Sequence, residues 1–302
     1  MNPDSSTNKS GGTDNSTVTA QDVTIVFITY NSSEWLDAML GELDGFNVLV
    51  YDNASGDDTV SQLQKNYPQV RLHSNAINSG YGRASNAAFR MVNTPYALLI
   101  NPDVEIRKDA IIALIDTINR FEDDWLFVAP QTGEVPTAYE VPTAHINEPD
   151  DPLPRIRFAT GCALLFNLRN HWILNGFDEN IFLFFEETDL CERAVKANIK
   201  MYYAESIKMP HASGQSVKPS SGLNTLKRWH YHWSYLYFCK KHGHWAKLYG
   251  TLLKNLLIYP IKLCFTDKNS DKAHVYKTRR AAALAFIGDE PAFIDNEQPY
   301  IP

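Results

Sequence analysis

Three carboxylates, Glu186, Glu187 and Asp189, directly follow the apolar run Ile181-Phe182-Leu183-Phe184-Phe185. A carboxylate beside apolar walls loses hydration, and its pKa climbs toward the range useful to a general base. The same residues also suit the first turn of a helix, where the dipole favours negative charge. Leu190, Ala194 and Val195 would form the apolar face of that helix, and Asp189 with Arg193 an i,i+4 pair. The stretch alone does not decide between base and helix cap.

The elements that must position these groups are legible. Val23–Thr29, Asn47–Tyr51, Val70–His73 and Tyr96–Ile100 are short, apolar, β-rich runs. Helical patterns over 33–43, 57–66, 82–92 and 108–121 separate and follow them. Alternating strands and helices predict an α/β fold with a parallel sheet, whose ligands bind at the carboxyl ends of the strands. Three polar clusters stand at those ends: Thr29-Tyr30-Asn31, Asp52-Asn53 and Asn101-Pro102-Asp103. Residues 131–157 are Pro-rich and read as a long loop. Phe158–Phe166 is apolar around Thr160-Gly161, and Lys200–Ala204 reads as a further strand.

Composition bounds the class. The chain has 302 residues, of which 44% are hydrophobic and 21% charged, an ordinary globular balance. The four cysteines lie far apart, which suggests neither a zinc site nor a disulfide framework and fits a reducing cytosol. Residues 1–21 are polar and lack the basic start and apolar core of a signal peptide; they read as a disordered tail. No run of about 18 apolar residues suggests a membrane-spanning helix. The net charge of −7 conceals a split: Lys218–Arg280 carries +11, residues 281–302 carry −4, and the remainder −14. Such a split points to a partner for the basic part.

The order of the motifs carries more than any one of them. TIVFITYNS, VLVYDNASGDDT, NSGYGRASNAAF, YALLINPDVEI, TGCALLFN, GFDENIFLFFEETDLCERA and PHASGQS follow one another from Val23 to Ser216. This series closely resembles the inverting family 2 glycosyltransferases with a GT-A fold, and within them the rhamnosyltransferase-type branch of O-antigen and surface-polysaccharide synthesis. The resemblance implies a Rossmann-like, mostly parallel sheet flanked by helices over 22–217; residues 218–302, beyond it, read from composition as a basic, aromatic helical segment.

It also implies roles. Thr29, Tyr30 and Asn31 would cradle the nucleotide base, and Asp52, beside Asn53, would accept from the imino N–H of uracil or thymine. An Asx-turn is the plainer role for Asp52. Asn78, Gly80 and Arg83 lie where the family's third loop passes the nucleotide, with Arg83 a candidate for the diphosphate. Asp103 stands at the metal motif, usually Asp-x-Asp, and would hold Mg²⁺ or Mn²⁺; Asn101 replaces the first carboxylate. His211 matches the late histidine of the metal and diphosphate site. Gly161 matches the small-residue turn on the acceptor side. Glu187 takes the place of the family's general base, usually the Asp of Glu-Asp, and Glu186 remains the alternative. The donor would be a dTDP- or UDP-sugar, with dTDP-L-rhamnose foremost, and the acceptor a lipid-linked oligosaccharide.

Leu226–Phe265 interleaves Lys and Arg with Trp, Tyr and Leu. This composition suits an amphipathic helix on the inner face of the cytoplasmic membrane, which would make the protein peripheral. Packing on the core and a homodimer interface are the competing uses. Nucleic acid is disfavoured by the acidic body. His230, His232, His242 and His244 fall at i,i+2 spacing on different helix faces and read as non-ligands. Two other enzyme classes fit poorly. A nucleotidyltransferase needs a Gly-rich triphosphate loop after the first strand, and a dinucleotide-binding oxidoreductase needs GxGxxG there. A non-catalytic nucleotide-sugar or glycan-binding relative is kept open by the departures at Asn101 and Glu187.

Overall fold

The computed structural model describes residues 17–133, 151–211 and 221–292. Among these, seven strands form one sheet in the order β3-β2-β1-β4-β6-β5-β7. β1 (Val23–Thr29), β2 (Asn47–Asp52), β3 (Arg71–Ser74) and β4 (Tyr96–Ile100) match the sequence reading closely and run parallel. Side chains of a strand alternate between faces. Val23, Ile25 and Phe27 of β1 therefore enter a core with α1 (Leu36–Leu40), α2 (Thr59–Asn66) and α4 (Lys108–Ile118). Val26 and Ile28 enter the opposite core with α3 (Tyr81–Met91), α5 (Leu168–Ile173) and α6 (Glu186–Lys196).

The second half departs from a simple alternation. β5 (Trp125–Gln131) is a strand that the sequence reading does not contain. Pro130 disguises it, since proline cannot donate to a ladder. It is tolerated because the pairing with β7 (Lys200–Lys208) changes register between Pro130 and Gln131. Only Ala163–Asn167 of the apolar run after 158 forms a strand, β6, and it is antiparallel to β4. That reversal brings the start of β6 beside the end of β4, and the Asn101 amide donates to the Cys162 carbonyl at 2.8 Å.

Of the tail expected to be disordered, residues 1–16 lie outside the described residues. Val18 is tied down, its N–H donating to Asn119 Oδ1 at 2.7 Å. Thr19 and Asp22 form a capping box over a single 3₁₀ turn. Most of the expected 131–157 loop, the Ser-Gly-Gln-Ser part of the late histidine motif and the expected boundary at 217 also lie outside the described residues.

The C-terminal segment corrects the interfacial-helix expectation over its first half. α7 (Ser221–Lys241) buries Trp229, Trp233, Leu236 and Cys239 in a third core that includes Phe182 and Phe185 of the body. α10 (Asp271–Ile287) packs against it through Ala282, Ala283 and Phe286. Between them lie α8 (Trp245–Leu253), a π-helical stretch (Lys254–Ile258) and α9 (Tyr259–Leu263). Among the described residues no helix is long and apolar enough to cross a membrane.

Candidate active site

The ends of β1, β2 and β4 open onto a cleft of about 300 Å³. Five expected residues line it: Tyr30, Asn53, Asn78, Gly80 and Asn101. Three others, Thr29, Asn31 and Asp52, lie in the scaffold behind it. Thr29 donates to Asp52 Oδ1 at 3.0 Å, and the Ser55 N–H donates to Asp52 Oδ2 at 2.9 Å. Ser55 Oγ also reaches Asp52 Oδ1, at 2.5 Å. The buried Asp52 carboxylate thus closes its own turn, as the Asx alternative has it. Asn31, at φ 53°, accepts from the Gly56 N–H at 2.7 Å and staples the first turn to the second.

Asn53 organises the third loop. Its amide donates to Asn78 Oδ1 at 2.9 Å, and its oxygen accepts from the Ser79 N–H at 3.0 Å. Gly80 follows at φ 83°, and a Cβ there would lie 2.2 Å from the Phe182 carbonyl oxygen. Only glycine allows both the backbone angle and that approach. The next residue uses it: the Tyr81 N–H donates to the same carbonyl at 3.0 Å. Arg83 does not reach the cleft. Its Nε donates to the Glu179 carbonyl, and it lines a separate cavity of about 410 Å³ between the body and the C-terminal helices.

Asp103 and His211 meet at 3.0 Å, Oδ1 to Nε2, with both side chains almost fully buried. A short antiparallel bridge, Val104 with His211, and a His211 N–H to Thr132 carbonyl bond of 3.0 Å fix the histidine. Among the described residues no group of three His, Cys, Asp or Glu side chains could hold a metal. One carboxylate and one imidazole, with the Asn101 side chain two positions before Asp103, are donors of the kind that a hard divalent cation could use.

Glu186 and Glu187 open α6 after an unusual turn. Phe184 and Phe185 both have left-handed backbones, at φ 64° and 71°. Such a conformation costs about 1–3 kcal/mol for a non-glycine residue and persists only where packing dictates it. α7 provides that packing. Phe185 lies against Tyr231, Tyr235 and Phe238, Phe182 stacks on His230 at 4.4 Å, and Ser234 Oγ donates to the Leu183 carbonyl at 2.9 Å.

The turn sends the two glutamates different ways. Glu186 is buried beneath Gly82 and Phe177. Glu187 is half-buried beside Gly161, whose N–H donates to its carboxylate. Each retains one buried carboxylate oxygen without a hydrogen-bond partner. Burial, and then the charge of Glu187, push the Glu186 carboxyl well above the ordinary range; burial raises Glu187, against the pull of its backbone donors. A Cβ on Gly161 would meet Glu187 only at ordinary contact distance, 3.8 Å, so a small side chain is tolerated there.

Two contributors escape motif reading. The Tyr81 hydroxyl lies 3.0 Å from both Asn101 Oδ1 and the Gly161 carbonyl, tying the Asn101 loop to the Gly161 turn. Its pKa is raised far above the usual value by burial and by Glu186 and Glu187. Lys227 of α7 lines the cleft and has no acidic partner among the described residues. The aromatic before Gly82 is visible in the sequence; the lysine, some forty residues beyond the acidic turn, carries no signal that could select it.

Comparison with known proteins shows the family and the fold. A protein 26% identical over 280 residues, covering 78% of this chain and 90% of its own length, is the N-acetylglucosaminyl-diphospho-decaprenol L-rhamnosyltransferase of Mycobacterium tuberculosis. The rhamnosyltransferase WbbL of Escherichia coli is 20% identical over 250 residues, covering 72% of this chain and 93% of its own. Among solved structures, the mannosyltransferase PcManGT of Pyrobaculum calidifontis, in complex with GDP-Man and Mn²⁺, aligns with TM-score 0.53 at 14% identity, over 89% of this chain and 86% of its own. TarS 1–349 of S. aureus, in complex with UDP, aligns with TM-score 0.53 at 15% identity, over 89% and 87%. These similarities establish the GT-A fold. The family description "Glycosyl transferase family 2" matches residues 24–177, and the chain belongs to that family.

Proposed function

We propose that the protein is an inverting glycosyltransferase that moves a sugar, L-rhamnose foremost, from a dTDP- or UDP-sugar to a hydroxyl of a lipid-linked glycan. The supporting observation is the Tyr81 hydroxyl, which joins the Asn101 side of the cleft to the Gly161 turn beside Glu187. Donor-binding and proton-accepting groups thereby belong to one hydrogen-bonded unit. The rhamnosyl donor and lipid-linked acceptor are carried over from the two rhamnosyltransferases named above.

The mechanism follows from the groups present. The nucleotide lies along Tyr30, Asn53 and Asn78, with its diphosphate toward Asn101 and Lys227. The Glu187 carboxylate takes the proton of the acceptor hydroxyl as that oxygen attacks the anomeric carbon. The bond from that carbon to the diphosphate breaks in the same displacement, inverting the centre and releasing the nucleoside diphosphate. Glu186, whose carboxyl burial and the Glu187 charge push well above the ordinary range, keeps its proton in preference to Glu187, since two adjacent carboxylates in such surroundings do not both lose their protons readily. The apolar 181–185 turn limits entry of water, the competing acceptor. Asp103, His211 and Asn101 are the residues that would hold Mg²⁺ or Mn²⁺. Such an ion, when bound, neutralises charge on the leaving diphosphate.

A binding-only relative would gain little from two adjacent carboxylates that each hold one buried, unpartnered oxygen, a costly arrangement. The protein would work at the cytoplasmic face of the membrane, where its acceptor lies. The test is release of nucleoside diphosphate from dTDP- and UDP-sugars, with and without a GlcNAc-diphospholipid acceptor and with or without chelator. Acceptor-dependent, chelator-sensitive release and a product of inverted configuration are expected. Binding of every donor without turnover on any acceptor would overturn the catalytic reading.

A further inference from the structure

Trp245, Tyr249, Leu253, Leu257, Ile261 and Phe265 recur at four-residue intervals, and all six are exposed, by 52–88%. They are not the inward face of their helices. Leu248 and Tyr259 are buried on that side, with Leu252 and Leu256 packed against the third core. The segment is therefore apolar on both sides, a pattern soluble surface helices avoid.

The winding keeps this row together. In an α-helix a four-residue step overshoots one turn by about 40°. The π-helical stretch Lys254–Ile258 lies midway along the row and is wound more loosely, which offsets part of the drift. Trp245 and Tyr249 stack at 6.2 Å at one end. Such aromatics favour the boundary between lipid and water.

Charge selects the partner. Within 245–265 the chain has three lysines, Lys247, Lys254 and Lys262, and no Asp or Glu. All three are exposed. We propose that this face is a ridge that inserts into the surface of an anionic lipid bilayer, with its lysines on the headgroups. The proposal rests on the lipid-linked acceptor proposed above and narrows the membrane contact to one face. A two-fold contact between copies would instead set the same lysines against one another.

Co-sedimentation of the full chain with vesicles tests this. Wild type should bind phosphatidylcholine vesicles containing phosphatidylglycerol at least about tenfold more tightly than phosphatidylcholine alone. Combined Leu253→Ser, Leu257→Ser and Ile261→Ser should abolish the binding, and Lys247→Glu, Lys254→Glu and Lys262→Glu together should weaken it about a hundredfold. The altered side chains are exposed, so melting temperature and affinity for nucleoside diphosphate should not change. Vesicle binding that is absent in wild type, or equal in the variants, would overturn the proposal. So would light scattering that shows a wild-type dimer and a monomeric serine variant, which would assign the face to a second copy. Vesicle binding lost in the variants, in a protein that transfers no sugar, would uphold the ridge while the transferase reading fell.

Discussion

Asp189 Oδ1 and His242 Nε2 meet at 2.8 Å across the seam between α6 and α7. Lys241 reaches the same oxygen at 2.6 Å, and Arg193 holds the other at 2.8 Å. Arg193 also donates to the carbonyls of Leu174 and Gly176. The fully buried Asp189 carboxylate therefore fixes the helix that carries Glu186 and Glu187 to both neighbouring segments. Burial raises its pKa, but the His242 hydrogen bond and the Arg193 and Lys241 charges outweigh that and hold it at about 2.

This contact makes the protein acid-sensitive. An unfolded aspartate titrates near about 3.9. The folded value is depressed, so the stabilisation is complete above that pH and disappears as pH falls toward about 2. It amounts to roughly 2–3 kcal/mol. Melting temperature measured against pH should therefore decline below pH about 4. Asp189→Asn removes the carboxylate that Arg193, Lys241 and His242 share and should cost about 2–3 kcal/mol already at neutral pH.

The two glutamates should separate in kinetics. Glu187→Gln should lower kcat by about 10²–10⁴-fold with donor affinity retained. Glu186→Gln keeps the shape of the carboxyl whose pKa burial raises most and should retain activity within about tenfold. Burial raises the Glu187 carboxyl, so wild-type activity should fall as pH drops through a value above the ordinary carboxylate pKa of about 4.3. A Glu187→Gln enzyme with unchanged kcat would move the base elsewhere.

Lys227 is the cation that α7 contributes to the cleft. Lys227→Ala should weaken nucleoside diphosphate binding roughly tenfold, about 1.4 kcal/mol, and leave nucleoside binding nearly unchanged. Calorimetric titration of both ligands separates a diphosphate contact from a general disturbance of the cleft.

Gly80→Ala would place a methyl group against the Phe182 carbonyl in a backbone conformation alanine rarely adopts. It should destabilise the protein by about 1–3 kcal/mol and reduce nucleotide binding, because Tyr81 would lose its bond to the same carbonyl. Thermal melting and nucleotide titration check both.

Legibility in the sequence followed the range of the interactions. β1, β2 and β4 are buried on both faces, and their uninterrupted apolar runs identify them from local sequence. β5 was hidden by Pro130, which is acceptable only beside a register shift that local sequence does not show. In the site, Asn53 and Asn101 are recognisable because each stands in a polar cluster at a strand end, whereas Asn78 and Gly80 follow only from family likeness at the third loop. The motif order brought Arg83 with them, but one turn of α3 carries it toward Glu179 and away from the cleft. Asp103 and His211, 108 positions apart, were joined only through family likeness; their contact depends on the Val104–His211 bridge. The left-handed pair Phe184-Phe185 was invisible, since its cause lies on α7.

That pair limits how this chain can be divided or recombined. A glycosyltransferase is conveniently pictured as a donor-binding module with an exchangeable acceptor module behind it. Here the left-handed backbone just before Glu186 and Glu187 is packed by side chains beyond residue 220, so a fragment ending at 217 would lose the contacts that hold that turn. A chimera joining this body to the C-terminal region of a relative would inherit the acids but not their orientation, unless Tyr231, Ser234, Tyr235 and Phe238 were transplanted with them.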